Sequence, residues 1–323
     1  MSTRLKQTFN LAIIFFSLSH LFTLSKLAIA SSCCTGGGGQ TICVLPYEQH
    51  FQLGFTSSYR ENLGQFDSYG YYKPKPTGTS SSLITTNLGA AYRLSEAWQA
   101  GLTFPFIYRK ELFSQKGDSS ISIGDPVVES RYTLWEDLRF LTFRPQLTFY
   151  EGVRLPLGTS IYNSKNPYGL DAVGEGTPTT HLGFFASKLY RPLKFSVDGS
   201  YFYPFSKKVT KIKSVSLLTP YEFKLGNKIQ LLENVSYLFN QSWSTSVGFK
   251  HVWQFKTKMD RQSIEGSATR LFSSLVTLNY FYDTSFGPIG LGLTYETVFP
   301  FYRYLANQAN YRAVSITSVI GAF

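Results

Sequence analysis

The stretch Trp98-Gln99-Ala100-Gly101-Leu102-Thr103-Phe104-Pro105-Phe106-Ile107-Tyr108-Arg109 alternates with a period of two. Successive side chains of an extended chain point to opposite sides, so Trp98, Ala100, Leu102, Phe104, Phe106 and Tyr108 share one face. Gln99, Gly101, Thr103 and Arg109 share the other. The same reading sets Leu141, Phe143, Leu147 and Phe149 against Thr142, Arg144, Gln146 and Thr148. It also sets Phe195, Val197, Tyr201 and Tyr203 against Lys194, Ser196, Asp198 and Ser200. One face is greasy and the other wet, over the roughly ten residues that a tilted strand needs to cross hydrocarbon. Such strands survive in lipid only when they close on themselves, because no backbone edge can be left unpaired there.

Working outward, the pattern predicts strands near residues 50–60, 82–94, 97–109, 125–134, 139–150, 178–190, 193–203, 217–239, 242–255, 269–282, 288–299 and 311–323. Short turns at Ser95-Glu96, Glu136-Asp137, Arg191-Pro192, Asn240-Gln241 and Asp283–Gly287 alternate with long connections, the rhythm of a membrane barrel with short inner turns and long outer loops. Gly226-Asn227 could close a hairpin. Tyr221, Phe223, Leu225, Ile229, Leu231, Val235, Tyr237 and Phe239 keep one parity through it, so the reading is a single strand over 217–239. The expected fold class is all-β: a transmembrane, antiparallel, up-and-down β-barrel of about 12 strands. In the last strand Gly321, Thr317 and Ser315 share the face of Phe323 while Ile316 and Ile320 sit opposite, a departure from the ideal pattern that a bulge could reconcile.

Composition agrees. Aromatic residues make up 17% of the chain and charged residues 16%, while mean hydropathy is only -0.09. Alternation cancels the average, and Tyr, Trp and Phe collect in girdles at the two interfaces. Residues 1–30 read as an export signal: Arg4 and Lys6, the apolar run Leu11–Leu24, then Ala28-Ile29-Ala30 before a cut. Cleavage removes three cations and no acid, lowering the formal charge from +11 to +8. An exported basic chain is expected to meet anionic outer-membrane lipid and small anions, and no nucleic acid. Residues 31–49 form an N-terminal arm with Cys33, Cys34 and Cys43, disulfide candidates that allow one bridge and one free thiol. Ala30-Ser31-Ser32-Cys33 faintly resembles a lipoprotein cleavage box, and the unlipidated arm is preferred. The barrel is assigned to residues 50–323.

Chemistry-bearing residues are sparse. Three histidines follow the signal, His50, His181 and His251. His251 shares the outward set with Trp243, Val247, Phe249 and Trp253; a lipase serine-histidine pair is the sharp reading and a girdle histidine the favoured one. No metal or cofactor site is expected, and the enzyme reading is set aside. The run Lys207, Lys208, Lys211, Lys213 reads either as a clamp for lipid phosphates or anions or as a solvated loop. Gly36–Gly39 and Gly169–Gly176 read as flexible segments. Parity places Arg93, Arg109, Glu129, Arg131, Arg144, Gln146, Lys194, Asp198, Lys224, Gln230, Lys250 and Glu296 inward, lining the interior.

Two stretches carry a resemblance: Ile123-Gly124-Asp125-Pro126-Val127-Val128 followed by Arg131-Tyr132, and Val153-Arg154-Leu155-Pro156-Leu157-Gly158-Thr159 leading to Gly174-Glu175-Gly176. Over about residues 85–323 they resemble the outer-membrane family named for the meta-pathway of phenol degradation, although Thr is usual where Leu157 stands. The Ser-Cys-Cys-Thr-Gly arm is similar to that of distant members. The resemblance implies a channel for aromatic or other small compounds. The terminal Phe323 resembles the signal read by the outer-membrane assembly machinery. A barrel of about 12 strands implies a narrow passage for small solutes, with residues 151–177 as lid or constriction. The competing reading is a plugged, non-conducting barrel for surface display or adhesion.

Overall fold

The computed structural model describes residues 44–45, 49–67, 69, 71–113, 116–136, 143–166, 169–212, 215–298 and 309–322. Twelve barrel strands run in chain order: β1 Phe51–Phe66, β2 Ser80–Arg93, β3 Trp98–Phe113, β4 Val127–Trp135, β5 Gln146–Arg154, β6 Thr179–Tyr190, β7 Leu193–Pro204, β8 Lys228–Leu238, β9 Trp243–Gln254, β10 Thr269–Asp283, β11 Pro288–Val298 and β12 Ala309–Ala322. Each pairs antiparallel with its neighbour, and β1 closes on β12 from Phe51↔Ala322 outward. The barrel therefore has no open edge. The cysteines Cys33, Cys34 and Cys43, the signal segment and Phe323 lie outside the described residues.

Burial is inverted relative to a soluble protein. Ser246, Ser273, Thr277 and Asn279 are buried, while Leu278, Leu293, Val247 and Ile316 are exposed on the outer surface. Polar residues point into the lumen and bond one another, as Thr277 and Thr294 do at 3.0 Å. The apolar face is left for lipid. Trp98 against Tyr132 and Trp243 against Tyr280 mark the short-turn rim with ring centroids 5.0 and 4.7 Å apart. His251 stacks with Trp253 at 5.4 Å and meets Phe272 at 4.6 Å near the opposite rim, placing it in an aromatic girdle. A closed barrel with this exterior is an outer-membrane protein.

Three sequence expectations are corrected. The strand expected over 217–239 is two elements: Val215–Lys224 pairs with Lys207–Ile212 in a separate four-stranded sheet, which Lys258–Met259 and Gln262–Ser263 complete, and only β8 enters the barrel. Gly226 marks the break, where a Cβ would collide with the backbone of Phe255. Parity continues across the break because both pieces are amphipathic. The strand expected over 139–150 is β5, beginning at Gln146 and running on to Arg154. The last strand needs no bulge between 315 and 322: Val314, Ile316 and Ile320 simply face lipid, and the register shift of β1 with β12 falls at Asn62/Gly64.

The connection after β3 is not a simple loop. Lys116–Ile123 pairs with the outer half of β3, and β4 pairs with its inner half. The interruption at Gly124-Asp125-Pro126 lies opposite Pro105, which has no N–H to extend a ladder, and Gly124 N–H donates to the Pro105 carbonyl at 2.9 Å. This break aims Asp125 at the lumen.

Candidate functional site

The lumen holds a cavity of about 420 Å³ in its outer half. Glu129 and Arg131 on β4, Tyr150 and Arg154 on β5, His181 on β6, Asp198 and Phe202 on β7, and Lys228 and Gln230 on β8 all line it. These are inward positions two or four residues apart on successive strands, so alternation alone turns them towards one space. The Arg131 guanidinium donates to Glu129 Oε1, and Glu129 Oε2 lies 3.1 Å from His181 Nε2. Tyr150 Oη donates to Asp198 Oδ1 at 2.7 Å. His181 also stacks on Phe202, with centroids 5.3 Å apart. Burying charges in a lumen costs free energy unless each meets a partner or water, and this network supplies the partners.

Two inward glycines make the network possible. A Cβ at Gly152 would overlap the His181 imidazole, and one at Gly183 would overlap the Tyr150 ring. Each glycine accepts the flat side chain of its cross-strand partner, since Gly152 pairs with His181 and Tyr150 with Gly183.

A second cluster forms around Glu296. Its Oε1 accepts from Lys250 Nζ at 3.3 Å, Ser273 Oγ at 2.8 Å and Tyr311 Oη at 2.8 Å, and the Arg60 guanidinium lies 4.1 Å over the Tyr311 ring. This cluster ties β9, β10, β11 and β12 together on their inner faces.

The described residues between β5 and β6 fold back onto the barrel, and Val173 and Glu175 among them line the cavity. Asp125 Oδ1 accepts from Gly158 N–H at 2.8 Å and Oδ2 from Glu175 N–H at 2.7 Å, so one carboxylate clamps both limbs. Burial pushes the Asp125 carboxyl above the ordinary range, against the two N–H donors that favour its ionised form. Val173 and Gly174 donate to the Thr159 carbonyl at 2.9 and 3.0 Å, and Arg154 pairs with Glu175. Lys207 Nζ donates to the Gly176 carbonyl at 3.0 Å. The Gly169–Gly176 stretch expected to be a flexible segment is thus held by hydrogen bonds to the barrel and to its own other limb, with Leu170 buried.

The N-terminal arm reaches the short-turn end of the lumen. Leu45 N–H donates to Gln99 Oε1 at 2.9 Å, and Arg93 donates to the Leu45 carbonyl at 2.6 Å and the Gln49 carbonyl at 3.0 Å. Leu45 packs on Ala91, an inward residue of β2. Described parts of the arm therefore sit inside the barrel, held by a buried guanidinium.

Of the residues expected to line the interior, Glu129, Arg131, Asp198 and Gln230 meet at the cavity, and Lys250 pairs with Glu296 beside it. Arg93 instead grips the arm. Gln146 and Lys194 lie at the short-turn end, where Gln146 accepts from Ser187 at 3.2 Å, and Arg109 lies towards the outer end opposite Leu83 and Ser120. Two placements are corrected. Arg144 is exposed, precedes β5 and stacks 5.7 Å from Trp135. Lys224 belongs to the outer sheet, and its ammonium lies 3.8 Å from the ring of Tyr203, which faces outward. Parity missed Asp125, Tyr150, Arg154, Glu175 and Lys228. Tyr150 had a signal, because Phe149 faces outward.

No protein-family model matches the chain, and no curated protein matches it. Among solved structures, an outer membrane channel from Pseudomonas putida F1 superposes with a TM-score of 0.66 at 13% identity, covering 86% of this chain and 97% of that one. The match to a NanC porin, at 11% identity and a TM-score of 0.44, covers 84% of this chain and 100% of that one. The first similarity is one of fold: this chain is a twelve-stranded outer-membrane β-barrel.

Proposed function

We propose that the chain is an outer-membrane channel for small, largely apolar solutes, aromatic compounds among them, with residues 155–166 and 169–178 as its outer lid and Leu45 and Gln49 as its inner constriction. One observation carries the reading: a barrel lumen with a cavity lined by apolar groups (Pro105, Ile107, Val127, Val173, Phe202) together with hydrogen-bonding and charged ones. A barrel serving only to hold surface loops has no need of such a space; small-molecule sites are concave and set placed polar groups among apolar ones. The sequence resemblance to the phenol meta-pathway family supports the aromatic class, and the fold shared with the Pseudomonas putida F1 channel is consistent with transport. We further infer export with cleavage after Ala30 and insertion directed by Phe323.

Reconstitution tests the proposal. Purified protein in planar bilayers is expected to give discrete current steps, and proteoliposomes are expected to take up benzyl alcohol faster than protein-free vesicles. Arg93→Ala, which frees the arm, is expected to raise the conductance. Absence of current and of uptake, in both wild type and Arg93→Ala, would favour the display barrel, a reading that the arm inside the lumen keeps in play.

A further inference from the structure

Four carboxylates (Asp125, Glu129, Glu175, Asp198) and three cationic side chains (Arg131, Arg154, Lys228) line the cavity, and they differ in how each is held. Glu129 is engaged by Arg131 and His181, Asp198 by Tyr150, Glu175 by Arg154 and Thr179, and Asp125 by two backbone N–H groups. Arg131 and Arg154 are spent on those pairs, and Lys250 is spent on Glu296. Lys228 is different. Among the described residues its ammonium forms no ion pair; it lies 4.0 Å from the centroid of the Phe202 ring, on the cavity wall. Arg154 approaches the same ring at 5.7 Å.

A partly buried ammonium that rests on a ring, with Glu175 acting on it only through space, is under-solvated. A cation over an aromatic face recovers about 0.5–2 kcal/mol, less than desolvating the charge costs. A carboxylate would complete the site, through a charge-assisted hydrogen bond to Nζ. Gln230, two residues along on the same face, adds an amide donor. The same lining includes an apolar stretch of Pro105, Ile107, Val127 and Val173. An inorganic anion would leave that stretch wet, and a neutral hydrocarbon would leave Lys228 unsatisfied. A cation would meet Lys228 and Arg154 together. One solute class satisfies both halves.

We propose that the outer lumen is a binding site for amphipathic organic anions, a single carboxylate on an aromatic or short aliphatic body, with Lys228 receiving the carboxylate and Phe202 the body. The proposal rests on the channel reading and names the class of solute it selects. The cavity volume lies within the roughly 300–1,000 Å³ of small-molecule sites.

The test is calorimetric titration of the full-length protein in detergent with benzoate, benzyl alcohol and benzylamine, which share a ring and differ in charge. Benzoate is expected to bind about tenfold or more tighter than benzyl alcohol, the value of one charge-assisted hydrogen bond. Lys228→Met is expected to bring the two within about twofold, and Lys228→Arg to keep most of the difference. Equal binding of benzoate and benzyl alcohol to wild type, or an undiminished benzoate preference in Lys228→Met, overturns the proposal. The wild-type comparison decides even where a variant fails to fold. Bilayer current on the same preparation separates the two readings: current without benzoate preference sinks the anion site alone, and benzoate preference without current sinks the channel alone.

Discussion

Replacing Glu129 by Gln should expose how the lumen tolerates its charges. The Glu129 and Arg131 side chains are only 11% and 8% exposed, so the pair sits largely out of water. Removing one member of a buried pair strands the other, at about 3–5 kcal/mol. Glu129→Gln keeps the shape but loses the negative charge facing Arg131 and the strong acceptor facing His181. Asp198, which lines the same cavity, offers Arg131 partial compensation, which argues for the lower end, about 3 kcal/mol. Reversible urea unfolding in detergent, read by the heat-modifiable gel shift, measures it. The double variant Glu129→Gln with Arg131→Met should recover at least half of the loss, because it removes the stranded charge along with its partner. If Glu129→Gln costs under about 1 kcal/mol, or the double variant costs the sum of the singles, the lumen is wet enough to solvate Arg131 and the network argument fails.

Three further outcomes are expected. Asp125→Ala removes two charge-assisted hydrogen bonds from the lid, about 1.5–3 kcal/mol each, so the amides of Gly158 and Glu175 should exchange far faster while those of β10 stay protected. Glu233 faces lipid as the sixth of the eleven residues of β8, between the cross-strand neighbours Val197 and Phe249; Glu233→Leu should stabilise the barrel by about 1–2 kcal/mol in vesicle unfolding, and a loss of stability would show that the carboxylate has a partner in the membrane. In the lid, desolvation would raise the Asp171 carboxyl, but the Ser164 hydroxyl and the N–H groups of Lys165 and Asn166 outweigh it and hold it below the ordinary 3.8. A depressed folded value contributes stability above the unfolded value and loses it as pH falls through the folded one, so protection of the Lys165 amide should decline only below about pH 4, and Asp171→Asn should remove that decline.

Period-two alternation and the spacing of turns were enough to specify a closed antiparallel barrel of twelve strands, because both are local properties of the chain. A residue two places along a strand returns to the same face whatever the rest of the molecule does. That is why Glu129, Arg131, Asp198 and Gln230 were legible as inward residues. Their meeting was not legible, since Glu129 and His181 lie 52 residues apart and join only through the register of three strands. Lys224 and Lys228 share parity, yet one rests against an outward ring and the other lines the cavity, because the chain leaves the barrel between them. Amphipathic alternation is the same in a membrane strand and in a sheet above the membrane, so no local pattern marks the exit. The lid clamp at Asp125 and the arm gripped by Arg93 likewise depend on backbone groups brought close by barrel closure, which side-chain chemistry in the sequence does not announce.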